Sequence, residues 1–174
     1  MGKRSQGFAR AKRQFYPTPY EAVVPLFPHL LPNTKFIEPC AGDGRLIRHL
    51  ESQGHQCTYA CDIEPQAAGI ERKDVLMMGS TLPAAEYIIS NTPWERFVLH
   101  QMIEKFRLHA PTWLIFEADW AYTIQAAPYL KYCAKIVSVG RVKWIEGSKT
   151  SGMENCSWYL FLDHPCTTVF VGRQ

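Results

Sequence analysis

The stretch FIEPCAGDGRLI, residues 36–47, constrains the fold more than any other part of this sequence. Lys35 to Glu38 is predicted to form a short buried strand, and Arg45 to Gln53 a helix with one apolar face. Between them, Gly42 and Gly44 allow positive φ angles and let the backbone approach a ligand closely. A strand, a glycine turn and a helix begin the nucleotide-binding half of an open α/β sheet, where the helix N-terminus attracts anionic groups. Neither the three-glycine dinucleotide fingerprint nor the Gly-Lys-Ser/Thr of a P-loop is present.

Composition predicts one soluble domain. The chain has 174 residues, of which 47% are hydrophobic and 20% charged, as in ordinary globular proteins. No apolar run reaches the roughly 18 residues of a membrane span, and no apolar segment follows the basic N-terminus as in a secretory signal. The six cysteines form no C-x-x-C pair, so we predict reduced thiols, no metal site and a cytoplasmic location.

Positive charge is concentrated at the N-terminus. The net charge is only +3, which is weak support for an anionic partner, but Lys3, Arg4, Arg10, Lys12 and Arg13 lie close together. We predict a flexible basic arm over residues 1–14 that neutralises phosphates, and a single domain over residues 15–174. A solvated terminus without a partner remains the alternative.

Two aspartates follow predicted strands. Asp62 ends a strand predicted over His55 to Ile63 and lies 20 residues beyond Gly42, where nucleotide-binding sheets place a carboxylate for ribose hydroxyls. The alternative is a solvent-facing residue that opens a turn. Asp74 lies near the end of a short strand predicted within Ile70 to Met78, where it can face an adenine amino group or belong to a loop.

The remaining elements predict an α/β fold. Strands that alternate with helices and are then followed by strands alone favour a mostly parallel twisted sheet with a C-terminal antiparallel hairpin. Right-handed crossovers place the carboxyl ends of the first and fourth strands side by side, where ligands bind. The later strands are predicted at 87–90, 112–116, 134–145, 156–162 and 167–171, and the helices at 19–30 with Thr18 as its N-cap, 95–108 and 119–132.

Four features of the sequence resemble a known family. Three of them occur in the family's order: Glu38 to Gly44, Asp62 and Asn91-Thr92-Pro93-Trp94. Glu38 to Gly44 resembles motif I of S-adenosylmethionine-dependent methyltransferases, and Asn91-Thr92-Pro93-Trp94 resembles the (D/N)-P-P-(Y/F/W) motif of enzymes that methylate amino groups of adenine or cytosine. Tyr16-Pro17-Thr18-Pro19 resembles the segment that holds the methionine part of the cofactor. Over about residues 15 to 172 the chain therefore resembles the small solitary DNA adenine methyltransferases of phages and bacteria.

The resemblance implies a Rossmann-like class I methyltransferase sheet, S-adenosyl-L-methionine as cofactor and DNA as partner. It implies that the Asn91 side-chain oxygen and the Thr92 carbonyl accept the two N–H bonds of the target amine, that Pro93 shapes this turn, and that Trp94 stacks on the extruded base. The residues implied to bind the cofactor are Tyr16, Thr18, Pro19, Glu38, Pro39, Ala41, Gly42, Gly44, Asp62, Ile63, Asp74 and Asn91.

Two features depart from the family or suggest a rival. Family members usually have proline where Thr92 stands; Thr92 still supplies a carbonyl and is held extended by Pro93, and weakened activity is the alternative. Pro39-Cys40 resembles the nucleophile of cytosine 5-methyltransferases, but that nucleophile follows the fourth strand, where this chain has Asn91.

The domain predicted here leaves no room for a separate target-recognition domain. Target selection is therefore expected from the basic arm with Arg10, Lys12 and Arg13, from the loop Glu146 to Asn155 with Lys149, or from a partner subunit. RNA, the cytosine 4-amino group and protein glutamine remain alternative substrates, and a catalytically impaired binding protein is the other alternative.

Overall fold

The computed structural model describes residues 16–147 and 152–173. The arm predicted at residues 1–14, with Arg10, Lys12 and Arg13, and the loop residue Lys149 lie outside the described residues. The predicted domain boundaries therefore stay predictions.

The described residues form one eight-stranded sheet in the order β3-β2-β1-β4-β5-β7-β6-β8. β1 pairs in parallel with β2 on one side and with β4 on the other, so the ends of β1 and β4 are neighbours. β7 is antiparallel to both β5 and β6, and β8 is parallel to β6. The strands are β1 Lys35–Glu38, β2 Gln56–Asp62, β3 Glu71–Arg72, β4 Tyr87–Ser90, β5 Thr112–Glu117, β6 Cys133–Arg141, β7 Asn155–Phe161 and β8 Val169–Val171.

This topology confirms the predicted fold class: a mostly parallel α/β sheet with an antiparallel hairpin, formed by β6 and β7, near the C-terminus. The prediction that the first and fourth strands lie side by side is also correct. α1 Tyr20–Val23 precedes β1, and the connections between strands include α2 Arg45–Glu51, α3 Arg96–Arg107 and α4 Ala127–Leu130.

Prolines account for most departures from the predicted helices. α1 stops at Val23, and the next six residues, Val24–His29, form a 3₁₀ helix that contains Pro28, because proline cannot donate the backbone bond of a longer α-helix. The helix predicted over residues 119–132 was wrong: two 3₁₀ turns, Ala118–Tyr122 and Ile124–Ala126, precede the four-residue α4.

The predicted N-cap was also wrong. The residue at the N-cap of α1 is Pro19, which makes no side-chain capping bond. Thr18 is almost completely buried, and its hydroxyl instead accepts a hydrogen bond from Asn91. A long-range partner therefore takes the hydroxyl that the sequence pattern assigned to a local cap.

The core occupies both faces of the sheet. On one face, α3 packs Leu99, Ile103 and Phe106 against strand residues such as Ile88 and Leu114. On the other face, α1 and α2 cover a cluster that includes two fully buried tryptophans, Trp113 and Trp158. Trp158 also ties β7 to α1, because its Nε1–H donates to the Ala22 carbonyl at 2.8 Å. Burial of large apolar side chains on both faces leaves the strand ends as the place for polar groups.

We expect Trp158→Phe to lower stability by about 1–3 kcal/mol, because it leaves the buried Ala22 carbonyl without its donor. For a chain of this size that is a fall of about 2–10 °C in the melting temperature. Trp113→Phe is the matched control, since Trp113 is equally buried but its Nε1 has no hydrogen-bond partner among the described residues. Thermal unfolding followed by circular dichroism measures both, and equal losses would show that this hydrogen bond contributes nothing.

Candidate functional site

The carboxyl ends of β2, β1 and β4 lie next to one another, and the predicted site residues follow these ends. This edge is where open parallel sheets bind ligands. The N-terminal segment with Tyr16, Thr18 and Pro19 joins the same edge through its contacts with Asn91. The structure thus brings residues that are up to 75 positions apart into hydrogen-bonding contact.

The glycine loop after β1 is fastened to the end of β2. Gly42 and Gly44 have φ angles of 53° and 73°, which favour glycine at both positions. The Gly42 N–H donates to Asp62 Oδ2 at 2.8 Å, and the Ala41 N–H donates to the Cys61 carbonyl at 3.0 Å. Asp62 Oδ1 accepts the Glu64 N–H at 2.7 Å. Each Asp62 oxygen therefore holds one backbone donor and keeps a second acceptor site.

Glu38, the last residue of β1, has a buried carboxylate. Its side chain is 1% exposed, and the backbone N–H of Asn91 lies beside it. Its Oε2 is buried with no hydrogen-bond partner among the described residues. Burial raises the pKa of Glu38 well above its ordinary value, the charges of Asp62 and Asp43 add to this rise, and the Asn91 N–H opposes it. A cationic group bound at Oε2 would favour the ionised form and lower this pKa.

The Asn91 carboxamide is held at its nitrogen end. Nδ2 donates to Thr18 Oγ1 at 3.1 Å and to the Tyr16 carbonyl at 3.3 Å. Since these two bonds occupy both amide hydrogens, Oδ1 is the acceptor end that remains for a ligand.

Thr92, Pro93 and Trp94 are the three residues that follow Asn91 in the motif. Thr92 is 3% exposed, and its hydroxyl has no hydrogen-bond partner in the described part of the chain. Pro93 follows it and favours extended backbone at Thr92. Trp94 is half-buried and meets the edge of Trp144, with ring centroids 5.6 Å apart and an interplanar angle of 87°. One of its ring faces is therefore not stacked on Trp144.

The remaining predicted positions lie at the same edge but make local contacts. Ile63, directly after β2, is 47% exposed. Asp74 follows β3, and its Oδ1 accepts the Leu76 N–H at 2.9 Å, which closes a turn. The Pro39 carbonyl is close to the Cys61 thiol, at 3.9 Å.

Cys40 lacks the properties of a nucleophile. Burial raises the pKa of its thiol well above the ordinary value, and the Asp62 charge raises it further. A thiol with a raised pKa stays protonated near neutral pH, whereas the thiolate is the reactive form. Cys40 is therefore unsuited to be the nucleophile that the cytosine 5-methyltransferase alternative requires.

Sequence reasoning missed residues 142–145 after β6 and named only the loop that begins at Glu146, for target selection. The Lys143 N–H donates to Glu21 Oε1 at 2.9 Å, and Glu146 lies 3.6 Å from Arg45 at the start of α2. With Trp144 against Trp94, residues 143–146 contact one motif residue and two residues that lie one or two positions beyond the other motifs. A topological argument could have found this segment, because β6 runs parallel to β4 and β5 and its carboxyl end must lie at the same edge of the sheet. The predicted strand extended to Ile145, so the end of β6 was placed too late in the sequence.

His49 was also missed. It lies on α2, and its Nε2 is 3.1 Å from the Thr18 carbonyl. Nothing in the sequence pattern around His49 points to a partner 31 positions away.

Carboxylates surround the neighbouring strand ends. Carboxylate oxygens of Glu117, Asp119 and Glu154 lie within 4.8 Å of one another. Arg96, at the start of α3, pairs with Glu117 at 2.5 Å.

None of the helices in the described ranges combines the length and the apolar character that a membrane span requires.

Neither a protein-family model nor a curated protein sequence matches this chain. Solved structures do match. A candidate RNA methyltransferase from Pyrococcus horikoshii aligns with a TM-score of 0.65 and 13% identity, covering 91% of this chain and 93% of that one. A candidate class I S-adenosylmethionine-dependent methyltransferase from Listeria monocytogenes aligns with a TM-score of 0.55 and 11% identity, covering 87% of this chain and 60% of that one.

The M protein of the type I restriction enzyme EcoKI also aligns, with a TM-score of 0.55 and 13% identity, covering 91% of this chain and 48% of that one. This chain thus spans 60% of the Listeria protein and about half of the EcoKI subunit. The described residues have the class I methyltransferase fold.

We expect Glu38→Gln to stabilise the ligand-free protein, with a gain that grows with pH. The raised pKa of Glu38 means that the folded state favours the neutral acid, so its contribution is complete below the ordinary pKa and is lost as pH rises through the folded value. Melting temperatures of the two proteins should nearly coincide at about pH 5 and diverge towards about pH 9, with the variant higher. A difference in melting temperature that stays constant between these pH values would contradict this explanation. The control is Glu51→Gln, a change of the same kind at an exposed position.

Proposed function

We propose that this chain is an S-adenosylmethionine-dependent methyltransferase that methylates the exocyclic amino group of adenine in DNA. The observation that carries the proposal is the meeting of Glu38, Asn91 and Thr18: Asn91 Nδ2 donates to Thr18 Oγ1, and the Asn91 backbone N–H lies beside the buried Glu38 carboxylate. It joins residues of three separate motifs at the edge where this fold binds ligands.

The residues present fit the cofactor. The unpartnered Glu38 Oε2 suits the ammonium of a methionine moiety, because a buried carboxylate needs a cationic partner. The second acceptor sites of Asp62 suit two ribose hydroxyls, with the exposed Ile63 beside them to pack on an adenine ring. Gly42 and Gly44 leave two positions of this loop without a Cβ atom. When bound, the cofactor supplies an electrophilic methyl group on a sulfonium.

The chain's own part in the reaction is to activate and orient the amine. The lone pair of an exocyclic amine is delocalised into the ring, and two acceptors that draw its N–H bonds out of the ring plane localise it. Asn91 Oδ1 and the Thr92 carbonyl are the two acceptors in this proposal. The amine nitrogen would gain the methyl group as the sulfonium–methyl bond breaks, the donor would leave as a neutral thioether, and one amine proton would pass to water. The chain contributes positioning and electrostatics without a covalent intermediate.

Trp94 supplies the stacking surface for the target base in this proposal. A base inside a duplex cannot reach the strand edge, so it must be extruded or already single-stranded. Stacking on an aromatic ring contributes about 1–3 kcal/mol per base. The edge of Trp144 against Trp94 holds the indole plane in one orientation.

RNA is the second candidate substrate. The Pyrococcus horikoshii candidate RNA methyltransferase aligns over nearly the whole of both chains. The motif order and the basic arm favour DNA, but an extruded adenine presents the same amine in either polymer.

Asn91→Ala should lower methyl transfer by about 100-fold or more, because one of the two acceptors for the amine is removed. Purified protein with radiolabelled cofactor and, separately, unmethylated duplex DNA, single-stranded DNA and RNA measures transfer, and nucleoside analysis identifies the product. Gln101→Ala on the exposed face of α3 is the matched amide control. Label in none of the three polymers would overturn the nucleic-acid substrate, and label chiefly in RNA would favour the second candidate.

Glu38→Gln should weaken cofactor binding by about 100-fold, since the buried partner of the ammonium loses its charge. Isothermal titration of ligand-free protein with S-adenosylmethionine measures this directly. Affinity should fall in the Gln variant even though its melting temperature rises, a combination that general unfolding cannot produce. Equal affinity in Glu38→Gln and Glu51→Gln would remove Glu38 from the cofactor site.

A further inference from the structure

We infer that Thr18 is a positioning residue that sets which end of the Asn91 carboxamide faces the substrate, an inference that rests on the proposed function. Thr18 Oγ1 accepts from Asn91 Nδ2 at 3.1 Å, and the threonine is only 5% exposed. Solvent therefore does not compete for this contact.

The orientation matters because the two ends of a carboxamide have opposite chemistry. With Nδ2 towards Thr18, Oδ1 is offered to the amine as an acceptor. A rotation of 180° would offer N–H donors to an N–H donor, which no hydrogen bond can satisfy. The Tyr16 carbonyl, 3.3 Å from Nδ2, opposes the rotated state because it can only accept.

The Thr18 hydroxyl is the adjustable part of this arrangement. A hydroxyl can donate as well as accept, so by itself it can bond either end of the amide. Once its own hydrogen is donated to another acceptor, it can only accept, and only Nδ2 can then face it. The carboxylate of a bound cofactor's methionine would be an acceptor of the required kind. If it took the Thr18 hydrogen, Thr18 could only accept, and the Asn91 orientation would be fixed.

Thr18 itself is anchored from the glycine-loop unit. The His49 ring, on α2, lies 3.1 Å from the Thr18 carbonyl through Nε2. Tyr20 packs edge-on against the His49 ring, with centroids 5.3 Å apart. The helix that follows the cofactor loop thus holds the backbone of the residue that orients Asn91.

The test compares Thr18→Val, which keeps the shape and removes the hydroxyl, with Thr18→Ser, which keeps the hydroxyl. We expect Thr18→Val to lower kcat by about 100-fold with KM for the nucleic acid changed less than about threefold. Thr18→Ser should remain within about threefold of the wild type. Thr34→Val is the matched control, since Thr34 is equally buried and donates to the Leu31 carbonyl before β1, at the opposite edge.

A second readout needs no catalysis. The side-chain amide signals of Asn91, assigned by their loss in Asn91→Asp, report hydrogen bonding and exchange with solvent in nitrogen–proton spectra. Addition of S-adenosylhomocysteine should slow this exchange at least about fivefold in wild type and Thr18→Ser, and leave it unchanged in Thr18→Val.

The two readouts separate the possible failures. If Thr18→Val keeps its kcat, or if its Asn91 amide signals match those of the wild type with the ligand present, the inference is overturned. If Thr18→Ser is as impaired as Thr18→Val, the shape and not the hydroxyl matters, and the inference is again overturned. If the wild type methylates no substrate, the proposed function fails, and the amide signals alone decide the role of Thr18.

Discussion

The pairing of β1 with β4 is the interaction on which the candidate site depends. These strands are far apart in the chain, and their pairing sets the backbone N–H of Asn91 beside the buried Glu38 carboxylate. The carboxylate at the end of β1 and the carboxamide directly after β4 therefore lie at one edge of the sheet. A change in the pairing of these strands would separate the two groups.

Buried polar atoms at the candidate site lower the stability of the fold. Glu38 Oε2 and the Thr92 hydroxyl are buried without a partner in the described part of the chain, and such atoms destabilise a fold. The stability is supplied elsewhere. Phe116 and Tyr159 stack 4.1 Å apart, and Trp120 meets both rings edge-on within the buried core. The strand ends can therefore keep unsatisfied polar atoms for ligands because the sheet faces are well packed.

Features with local causes were predictable from the sequence. The strand before Gly42, the strand before Asn91 and the antiparallel hairpin each follow from apolar runs and turn residues, and the structure confirms them. The contacts of His49 with Thr18 and of Trp144 with Trp94 could not be derived, because they join side chains on different elements and have no sequence period. The helix predicted over residues 119–132 was wrong because Pro128 lies in the first turn of α4, where its missing N–H is tolerated, and it cannot stand inside a longer helix.

Charge limits what the described site edge can contribute to a polyanionic substrate. Arg45 is paired with Asp43 and Glu146, and Arg96 with Glu117, so neither arginine next to the site is an uncompensated cation. Glu117 also belongs to a group of three neighbouring carboxylates that repels phosphate. Since neutralised phosphates provide much of the affinity for nucleic acids, a DNA or RNA substrate needs other cations. In the described ranges, the exposed Arg141 at the end of β6 and Lys143 after it lie at this edge, and the sequence also concentrates lysine and arginine in residues 1–14.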